Sequence, residues 1–441
     1  MKRLAALAPM LALTSALATL PGPAHAQTLA PADAPCPSGL PAATRCLTGR
    51  DDFGAFYWIA VPRAWNGVLV LHTHGGPELG PPRADRTAQD LQRWAVMLQT
   101  GYAWAGSSYR QGGVEVRAAA EDTERLRGIV SATIGAPKTT ILHGQSWGAS
   151  VAAKAAEAHS RSYDGVLLTS GVLGGGTRSY DFRLDLRVVY QALCGNHPLP
   201  SEPAYPLWQG LPLDATLTRA ELARRVDDCT GLRLEPTQRS AAQQRTLDAL
   251  LKVVRIPERS LIGHLNWATW HFQDIAFKRT DGRNVFGNIG ALYAGSADDA
   301  ALNANVARYR TDPIAVAKFG ADTDPTGRIG VPVLTTHAID DPVAFVELDS
   351  VFLDTMTAAG NGAKLVQTFT DEHEHSYLAD PEYVALMQAL LAWIGSNERP
   401  TPFGIAERCK ALEAGFGAGC RFVPGYEPPP LSQRITPRAR P

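Results

Sequence analysis

The sequence has no excess of charge of either sign. Asp, Glu, Lys and Arg make up 19% of its 441 residues, and the formal net charge is −1. Loss of Lys2 and Arg3 with an N-terminal segment would change this value to −3. Partners that carry a dense negative charge are held by strongly basic surfaces. We therefore expect neither a nucleic acid nor an anionic membrane as a partner.

The sequence also lacks an apolar run long enough to span a membrane. Its most apolar stretch, Leu4 to Leu20, follows the basic start Met1-Lys2-Arg3 and precedes Ala24-His25-Ala26. A basic start, a short apolar centre and a small-x-small end are typical of a signal peptide. The pattern predicts a signal peptide over residues 1–26 and a mature protein, without a membrane span, that is periplasmic or secreted.

Cysteines are few, and none are spaced as C-x-x-C. In an oxidising compartment an even number of cysteines indicates disulfides, although six allow fifteen pairings. We predict that neighbours pair, as Cys36–Cys46, Cys194–Cys229 and Cys409–Cys420. The cysteine and histidine spacing fits no structural zinc site, and the sequence predicts neither a metal nor a cofactor.

Strands alternate with helices in two parts of the chain, residues 27–170 and 331–425. In the first part we predict five strands, at Phe56–Val61, Val68–His72, Ala103–Ser107, Thr139–His143 and Gly165–Ser170. The second part adds strands at Val331–Thr336 and Lys364–Phe369. Apolar strands interleaved with helices indicate an α/β fold with a mostly parallel sheet that is covered on both faces.

The alternation stops over residues 171–330, which we interpret as an inserted, mainly helical cap. This segment is rich in aromatic rings, which could line a substrate pocket or form the cap's own core. Residues 426–441 are a Pro-rich tail that we expect to be disordered. No fixed-period repeat is visible.

The motif that carries most information is Gly144-Gln145-Ser146-Trp147-Gly148. It follows a predicted strand and precedes an Ala-rich predicted helix, Ser146 to His159. In such a G-x-S-x-G turn the serine hydroxyl is held above the sheet, and the helix N-terminus favours developing negative charge. The motif predicts that Ser146 is the nucleophile of a hydrolase.

A serine nucleophile needs a base and an orienting carboxylate, and on such a turn they follow in the order Ser, Asp, His. After the resumed strand at Val331–Thr336, the histidines that follow a candidate acid are His373 and His375. The candidate acids Asp340 and Asp341 come just after that strand. His337 precedes both acids, so we do not expect it to be the base.

The oxyanion hole requires two N–H groups that point to the developing charge. One is expected from the backbone of Trp147, the residue after the nucleophile. The other is expected from the loop His74-Gly75-Gly76-Pro77, where two glycines let the backbone approach a substrate closely. We predict that Gly76 is this donor.

Together, His74-Gly75-Gly76-Pro77 and Gly144-x-Ser146-Trp147-Gly148 resemble the α/β-hydrolase superfamily, including proline-iminopeptidase-like and tripeptidyl-aminopeptidase-like enzymes. The segment from Leu391 to Pro400 is similar to the C-termini of tannases and feruloyl esterases. The resemblance covers both core segments but not the cap. It implies the α/β-hydrolase fold, with Asp341 as the acid because Asp341-Pro-Val matches a turn of the family, and His375 as the base before the last helix.

The expected function is hydrolysis of a small-molecule or polymeric carboxylic ester through an acyl-enzyme. The first alternative is a serine exopeptidase, although the peptidase pattern has a further Gly where this chain has Glu78. A metal hydrolase is a second alternative, because alternation along a strand would put His72 and His74 on one face, and His373-x-His375 repeats the spacing. A catalytically silent binding protein is the third. The oligomeric state is not determined by the sequence.

Overall fold

The structure, a computed structural model, describes residues 29–438. The predicted signal peptide, residues 1–26, lies outside the described residues. Within them, no helix is both long enough and apolar enough to cross a bilayer.

One sheet organises the protein. Its nine strands are β1 Leu29–Ala34, β2 Arg45–Arg50, β3 Phe56–Val61, β4 Val68–Thr73, β5 Ala103–Ser107, β6 Thr139–Gln145, β7 Gly165–Thr169, β8 Val333–Ala338 and β9 Leu365–Thr370. Their order across the sheet is β1-β2-β3-β5-β4-β6-β7-β8-β9. The first four strands in this order pair antiparallel, and every pairing from β5 to β9 is parallel. The predicted mostly parallel sheet is confirmed, and the seven predicted strands match β3 to β9 to within two residues at either end.

The first group of helices packs on the two faces of the sheet. It comprises α1 Ala84–Arg93, α2 Val96–Gln99, α3 Val116–Ile134 and α4 Trp147–Ala158. The helical spacing of Ala88–Leu98 predicts one helix, but the chain forms two here, because it turns at Trp94 and Ala95.

The region between β7 and β8 is helical. It contains α5 Gly176–Ser179, α6 Asp181–Cys194, α7 Arg219–Thr230, α8 Ala241–Val254, α9 Leu261–Asn266, α10 Phe272–Asp274, α11 Asp299–Asn305 and α12 Pro313–Thr323. Two π-helical turns, Trp267–His271 and Ile275–Arg279, extend α9 and α10 into one continuous helical segment. Short 3₁₀ turns lie at 207–209, 236–238 and 258–260. This region has a hydrophobic core of its own, in which Tyr190, Phe272 and Tyr293 are buried.

Three helices follow in the second part of the core. They are α13 Leu348–Ala358, α14 Asp380–Ser396 and α15 Pro402–Phe416. Side chains of α3, α4 and α13 join one hydrophobic cluster with alternate strand residues, and those of α1, α2, α14 and α15 join a second cluster. Because neighbouring strand residues such as Val70 and Leu71 divide between the two clusters, the sheet is covered on both faces.

The three predicted disulfides, Cys36–Cys46, Cys194–Cys229 and Cys409–Cys420, are all formed, so the predicted pairing of neighbours is confirmed. Sequence reasoning missed β1, β2 and α15. The first two strands form an antiparallel hairpin at the edge of the sheet, where Pro31 and Asp33 in β1 and Gly49 and Arg50 in β2 interrupt the strand pattern.

The expectation of a disordered Pro-rich tail is wrong for residues 426–438. Leu431 and Ile435 pack against the core of the helical region. Arg434 forms an ion pair with Glu347 at 3.0 Å, and Arg438 forms a buried ion pair with Asp185 on α6. Composition pointed to disorder because prolines dominate the start of the tail. The few apolar and basic residues after them have specific partners far away in sequence.

We predict that Arg438→Ala lowers the free energy of unfolding by about 3–5 kcal/mol, because it removes the cation from a buried pair and leaves the Asp185 carboxylate. Chemical denaturation followed by circular dichroism measures this change. The double variant Arg438→Ala/Asp185→Asn should recover part of the loss, since it also removes the buried anion. Equal stability of Arg438→Ala and the unmodified protein would show that the tail does not pack in solution.

Candidate active site

The turn after β6 presents a serine at the C-terminal edge of the sheet. Ser146 has φ 57° and ψ −124°, a conformation that few non-glycine residues adopt. Its backbone N–H donates to the carbonyl of Thr169 at 2.9 Å, and its own carbonyl accepts from Val172 at 3.2 Å. Strain of this kind costs about 1–3 kcal/mol and persists only where the surroundings fix it. Here β7 and the residues after it fix the turn.

Both glycines of the motif are required by the same turn. A Cβ added at Gly144 would lie 2.6 Å from the carbonyl oxygen of Gly148. A Cβ added at Gly148 would collide with the carbonyl groups of Thr73 and His74 at the end of β4. The strand, the helix and the neighbouring loop therefore approach one another too closely for any side chain at position 144 or 148.

The structure brings Ser146, His375 and Asp341 together. His375 Nε2 lies 2.8 Å from Ser146 Oγ, and His375 Nδ1 lies 2.8 and 3.0 Å from the two carboxylate oxygens of Asp341. In the tautomer with its proton on Nδ1, the ring donates to Asp341 and accepts from the serine hydroxyl. These three residues follow β6, β8 and β9, whose parallel C-terminal ends meet at one edge of the sheet.

Asp341 is held in place by several donors. Its Oδ1 accepts from the backbone N–H groups of Val343 and Ala344 at 2.8 and 3.0 Å. Burial by itself would raise the pKa of Asp341, but the charge of His375 and the hydrogen bonds from His337 and His375 lower the pKa below its usual range. The carboxylate is therefore ionised at neutral pH.

The other members of the two candidate pairs meet each other at the surface. His373 Nδ1 lies 3.1 Å from Asp340 Oδ2, and both side chains are more than half exposed. Asp340 also accepts from Arg259 at 3.1 Å. The sequence left two acids and two histidines open. Asp341 and His375 join Ser146 in one chain of contacts, whereas Asp340 and His373 form a separate pair at the surface.

The loop of residues 74–77 lies beside the serine turn. Tyr109 donates from its hydroxyl to the carbonyl of His74 at 3.3 Å. A Cβ on Gly75 would lie 2.6 Å from Oε1 of Gln145, and Gly76 has a φ of +156°. The backbone of Gly75 thus comes close to Gln145 in the turn, and Gly76 is the next residue along this loop. Trp147 opens α4, at a position whose N–H has no acceptor within a helix.

Two polar side chains fix the loop that carries His375. Gln145 donates from its amide to the hydroxyl of Ser376, and Arg93 donates to the carbonyl of the same residue. Sequence reasoning did not single out either residue. Gln145 occupies the variable position of the motif, and its amide connects the nucleophile's turn to the histidine's loop.

The strand order and the strained serine turn after β6, followed directly by a helix, are those of one known architecture. The chain has the α/β-hydrolase fold. The fold class predicted from the sequence is thus confirmed.

No family model and no curated protein matches the sequence. Among solved structures, feruloyl esterase B from Aspergillus oryzae is similar at 13% identity, with a TM-score of 0.46 over 86% of this chain and 89% of that one. A carboxyl esterase from Bacillus coagulans has 14% identity and a TM-score of 0.35, covering 80% of this chain and 98% of that one. An acylaminoacyl peptidase from Pyrococcus horikoshii has 11% identity and a TM-score of 0.36, covering 79% of this chain and 38% of that one.

A second histidine reaches Asp341 from behind. His337 is buried at the end of β8, and its Nδ1 lies 2.5 Å from Asp349 Oδ2. Its Nε2 lies 2.7 Å from the carbonyl oxygen of Ala344 and 3.4 Å from Asp341 Oδ2. Both ring nitrogens thus face acceptors, which requires a proton on each. Burial would lower the pKa of His337, but Asp349 and Asp341 raise it to about 10. The ring is an imidazolium between two carboxylates.

The expectation that His72 and His74 share one face is wrong, because β4 ends at Thr73. The ring of His72 lies between Trp94 and Trp104, accepts from the Trp94 indole at 3.0 Å and meets His143 at 3.2 Å. The ring of His74 stacks on Tyr109, in the cluster on the opposite face of the sheet. Among residues 29–438, no group of three His, Cys, Asp or Glu side chains is placed to hold a metal.

The continuous helical segment 261–279, here called the roof helix, covers the site. His264 Nε2 donates to the carbonyl of Pro342, beside Asp341, at 2.9 Å. About two turns further along the roof helix, His271 Nε2 donates to the carbonyl of Pro77 at 2.9 Å. Since the loops at Pro342 and Pro77 flank Ser146, the roof helix spans the mouth of the site, with Trp267 between the two histidines.

We predict that His337→Gln lowers the free energy of unfolding by about 3–5 kcal/mol near neutral pH, because it leaves Asp341 and Asp349 buried without a cation. The raised pKa of His337 also sets the pH dependence. Its contribution is complete below the ordinary value of 6.5 and is lost as the pH rises to about 10.

Urea denaturation across that pH range measures both effects. The control is His373→Gln, which removes an exposed histidine that also pairs with an aspartate. The unmodified protein and His373→Gln should lose stability with rising pH more steeply than His337→Gln. Parallel curves for all three proteins would contradict a charged His337.

Proposed function

We propose that this protein is a serine hydrolase that cleaves carboxylic esters, with Ser146 as nucleophile, His375 as base and Asp341 as the orienting carboxylate. The observation that carries the proposal is the continuous chain of short contacts from Ser146 Oγ through His375 to Asp341. The strained turn supports it, because the fold holds Ser146 in a costly conformation that presents its hydroxyl at the edge of the sheet.

In the proposed reaction, Ser146 Oγ attacks the ester carbonyl carbon while His375 Nε2 takes the hydroxyl proton. Negative charge develops on the carbonyl oxygen, and the N–H groups of Trp147 and Gly76 are the proposed donors to it. His375 then protonates the leaving alcohol, and water releases the acid from the serine by the same steps. Asp341 stabilises the imidazolium that forms at His375 during both acylation and deacylation of the serine.

The charges around the roof helix favour an ester over a free amine terminus. An aminopeptidase binds a protonated α-amine, which needs an available carboxylate near the site. Six carboxylates of residues 171–330 have partners of their own: Asp274 pairs with Arg279, Glu202 with Arg225 and Asp228 with Arg224. Asp298 caps α11, Asp299 accepts from Gly295 and Ser296, and Asp227 accepts from Arg233.

We further propose that the protein acts outside the cytoplasm. The three disulfides support an oxidising compartment. The N-terminal sequence pattern described above points the same way.

We predict that Ser146→Ala and His375→Ala each reduce kcat/KM for p-nitrophenyl butyrate by roughly 10⁴- to 10⁶-fold, because each removes a member of a unit that acts together. His373→Ala is the matched control, since its exposed pair with Asp340 contributes little. Spectrophotometric assays of the purified variants, with circular dichroism to verify folding, test this assignment. If His373→Ala is the inactive variant, the assigned base is wrong.

We predict the same contrast between the two neighbouring acids. Asp341→Asn should reduce kcat by roughly 10⁴-fold, because the amide no longer holds the imidazole in the required tautomer. Asp340→Asn should change kcat only a few-fold. The two substitutions are isosteric and adjacent, so equal losses would contradict the assignment of Asp341.

A further inference from the structure

Arg183, in the first turn of α6, is a buried cation with almost no hydrogen-bond partner. The residue is 5% exposed. Its one hydrogen bond in the described part of the chain runs from Nη1 to the carbonyl of Ser179 at 3.4 Å, and Nε is buried without a partner. No carboxylate acts on it, and burial lowers the pKa of its guanidinium to about 9.

Aromatic rings surround the guanidinium. Its carbon lies 4.4 Å from the ring centre of Trp267, 4.6 Å from that of Phe182 and 5.2 Å from that of Tyr180. Such rings stabilise a cation that lies over their faces, but they offer no acceptor to the N–H groups that point outward in the plane of the guanidinium. The charge is thus held in place while most of its donors remain unused.

Arg187, one turn further along α6, shows what a structural arginine looks like in the same helix. It is also fully buried and its Nε likewise has no partner, but its two terminal nitrogens donate to the carbonyl of His197 at 2.9 Å, to the hydroxyl of Tyr205 at 3.2 Å and to the carbonyl of Gly210 at 3.5 Å. The low number of partners at Arg183 is therefore not a general property of buried arginines in this helix.

Arg183 lies against the part of the roof helix that spans the site. Trp267, whose ring carries the guanidinium, stacks on His271 with ring centres 4.6 Å apart, and His271 holds the loop of Pro77. Phe182 packs on His264 at 4.8 Å, and His264 holds the loop of Asp341. The cation thus contacts rings that lead to both flanks of Ser146. Along a helix, His264 and His271 are roughly 10 Å apart.

Three residues connected to Arg183 or to Ser146 also carry a buried polar atom without a partner in the described chain. They are Ser179 Oγ, in the residue whose carbonyl accepts from Arg183, His271 Nδ1, in the ring that stacks on Trp267, and Trp147 Nε1, in the residue after Ser146. Buried polar groups are normally hydrogen-bonded, so these unused ones together with Arg183 indicate a site for a polar group of a ligand. Of these four groups, Arg183 carries the full charge.

We infer that Arg183 binds a carboxylate carried by the ester substrate, on a part of the substrate that lies beneath Trp267. The inference rests on the proposed esterase function and narrows its substrate class to esters that bear a free carboxylate. A planar guanidinium presents two parallel N–H groups that match a carboxylate, and a desolvated site strengthens the pair.

Matched ester pairs test this inference. One pair carries the charge on the acyl side, p-nitrophenyl hydrogen adipate against p-nitrophenyl methyl adipate. The other carries it on the alcohol side, p-carboxyphenyl butyrate against p-carbamoylphenyl butyrate. In one pair, kcat/KM for the anionic ester should exceed that for its neutral partner by about 10- to 100-fold, since a charged hydrogen-bond pair contributes about 1.5–3 kcal/mol. The ester pair that shows the preference identifies whether the substrate carries its carboxylate on the acyl side or on the alcohol side.

Arg183→Gln should reduce this preference by about 10-fold or more, and Arg183→Lys should retain part of it. The control Arg178→Gln removes a positive charge from an exposed position of α5 and should leave the preference and the activity unchanged. An unmodified protein with no preference in either pair, or a preference that persists in Arg183→Gln, overturns the inference.

Two further measurements keep the test decisive. If Arg183→Gln does not fold, competitive inhibition of the unmodified protein by benzoate and by benzamide replaces the measurement on that variant. Benzoate should bind about 10-fold more tightly than benzamide, and equal inhibition by the two compounds overturns the inference. Ester hydrolysis that persists in Ser146→Ala contradicts the proposed function, whereas Ser146-dependent hydrolysis without a carboxylate preference contradicts the assignment of Arg183 alone.

Discussion

The turn at Ser146 leaves no room for a side chain at positions 144 and 148, two residues before and two residues after the serine, and the placement of the rest of the site follows from that constraint. Gly144 and Gly148 let β6, α4 and the end of β4 approach to backbone contact. The close approach brings the loop of Gly75 and Gly76 to the serine and fixes the hydroxyl at the sheet edge. There the ends of β8 and β9 can reach it with Asp341 and His375.

The electrostatics of the site extend beyond these three residues. Asp341 lies between two histidines, of which His375 is partly exposed and His337 is fully buried with Asp349 behind it. Two carboxylates close to each other in the protein interior would repel, and the imidazolium of His337 between them offsets that repulsion. The carboxylate next to His375 can therefore stay ionised in spite of its burial.

The predictions from the sequence differed in success for identifiable reasons. Strands with a strong apolar pattern were predicted to within two residues, and the local pairing of cysteines was predicted correctly. The hairpin of β1 and β2 was missed because Pro31, Asp33, Gly49 and Arg50 interrupt its strand pattern and because its stability comes from pairing with β3. The tail was expected to be disordered because of its prolines, yet Arg434 and Arg438 bind partners, Glu347 and Asp185, that are far away in the chain.

Local sequence was sufficient to predict the α/β fold and the position of the serine turn, because both depend on local periodicity and on glycines at fixed spacing. The choice between Asp340 and Asp341, and between His373 and His375, as the residues that join Ser146 in one chain of contacts depends on the tertiary structure. Neighbouring residues in a loop point their side chains in different directions. These directions depend on the backbone conformation of the loop, which its sequence alone does not specify. The ion triplet of His337 and the unpartnered charge of Arg183 also came only from the structure, since a buried charge is defined by neighbours that are distant in sequence.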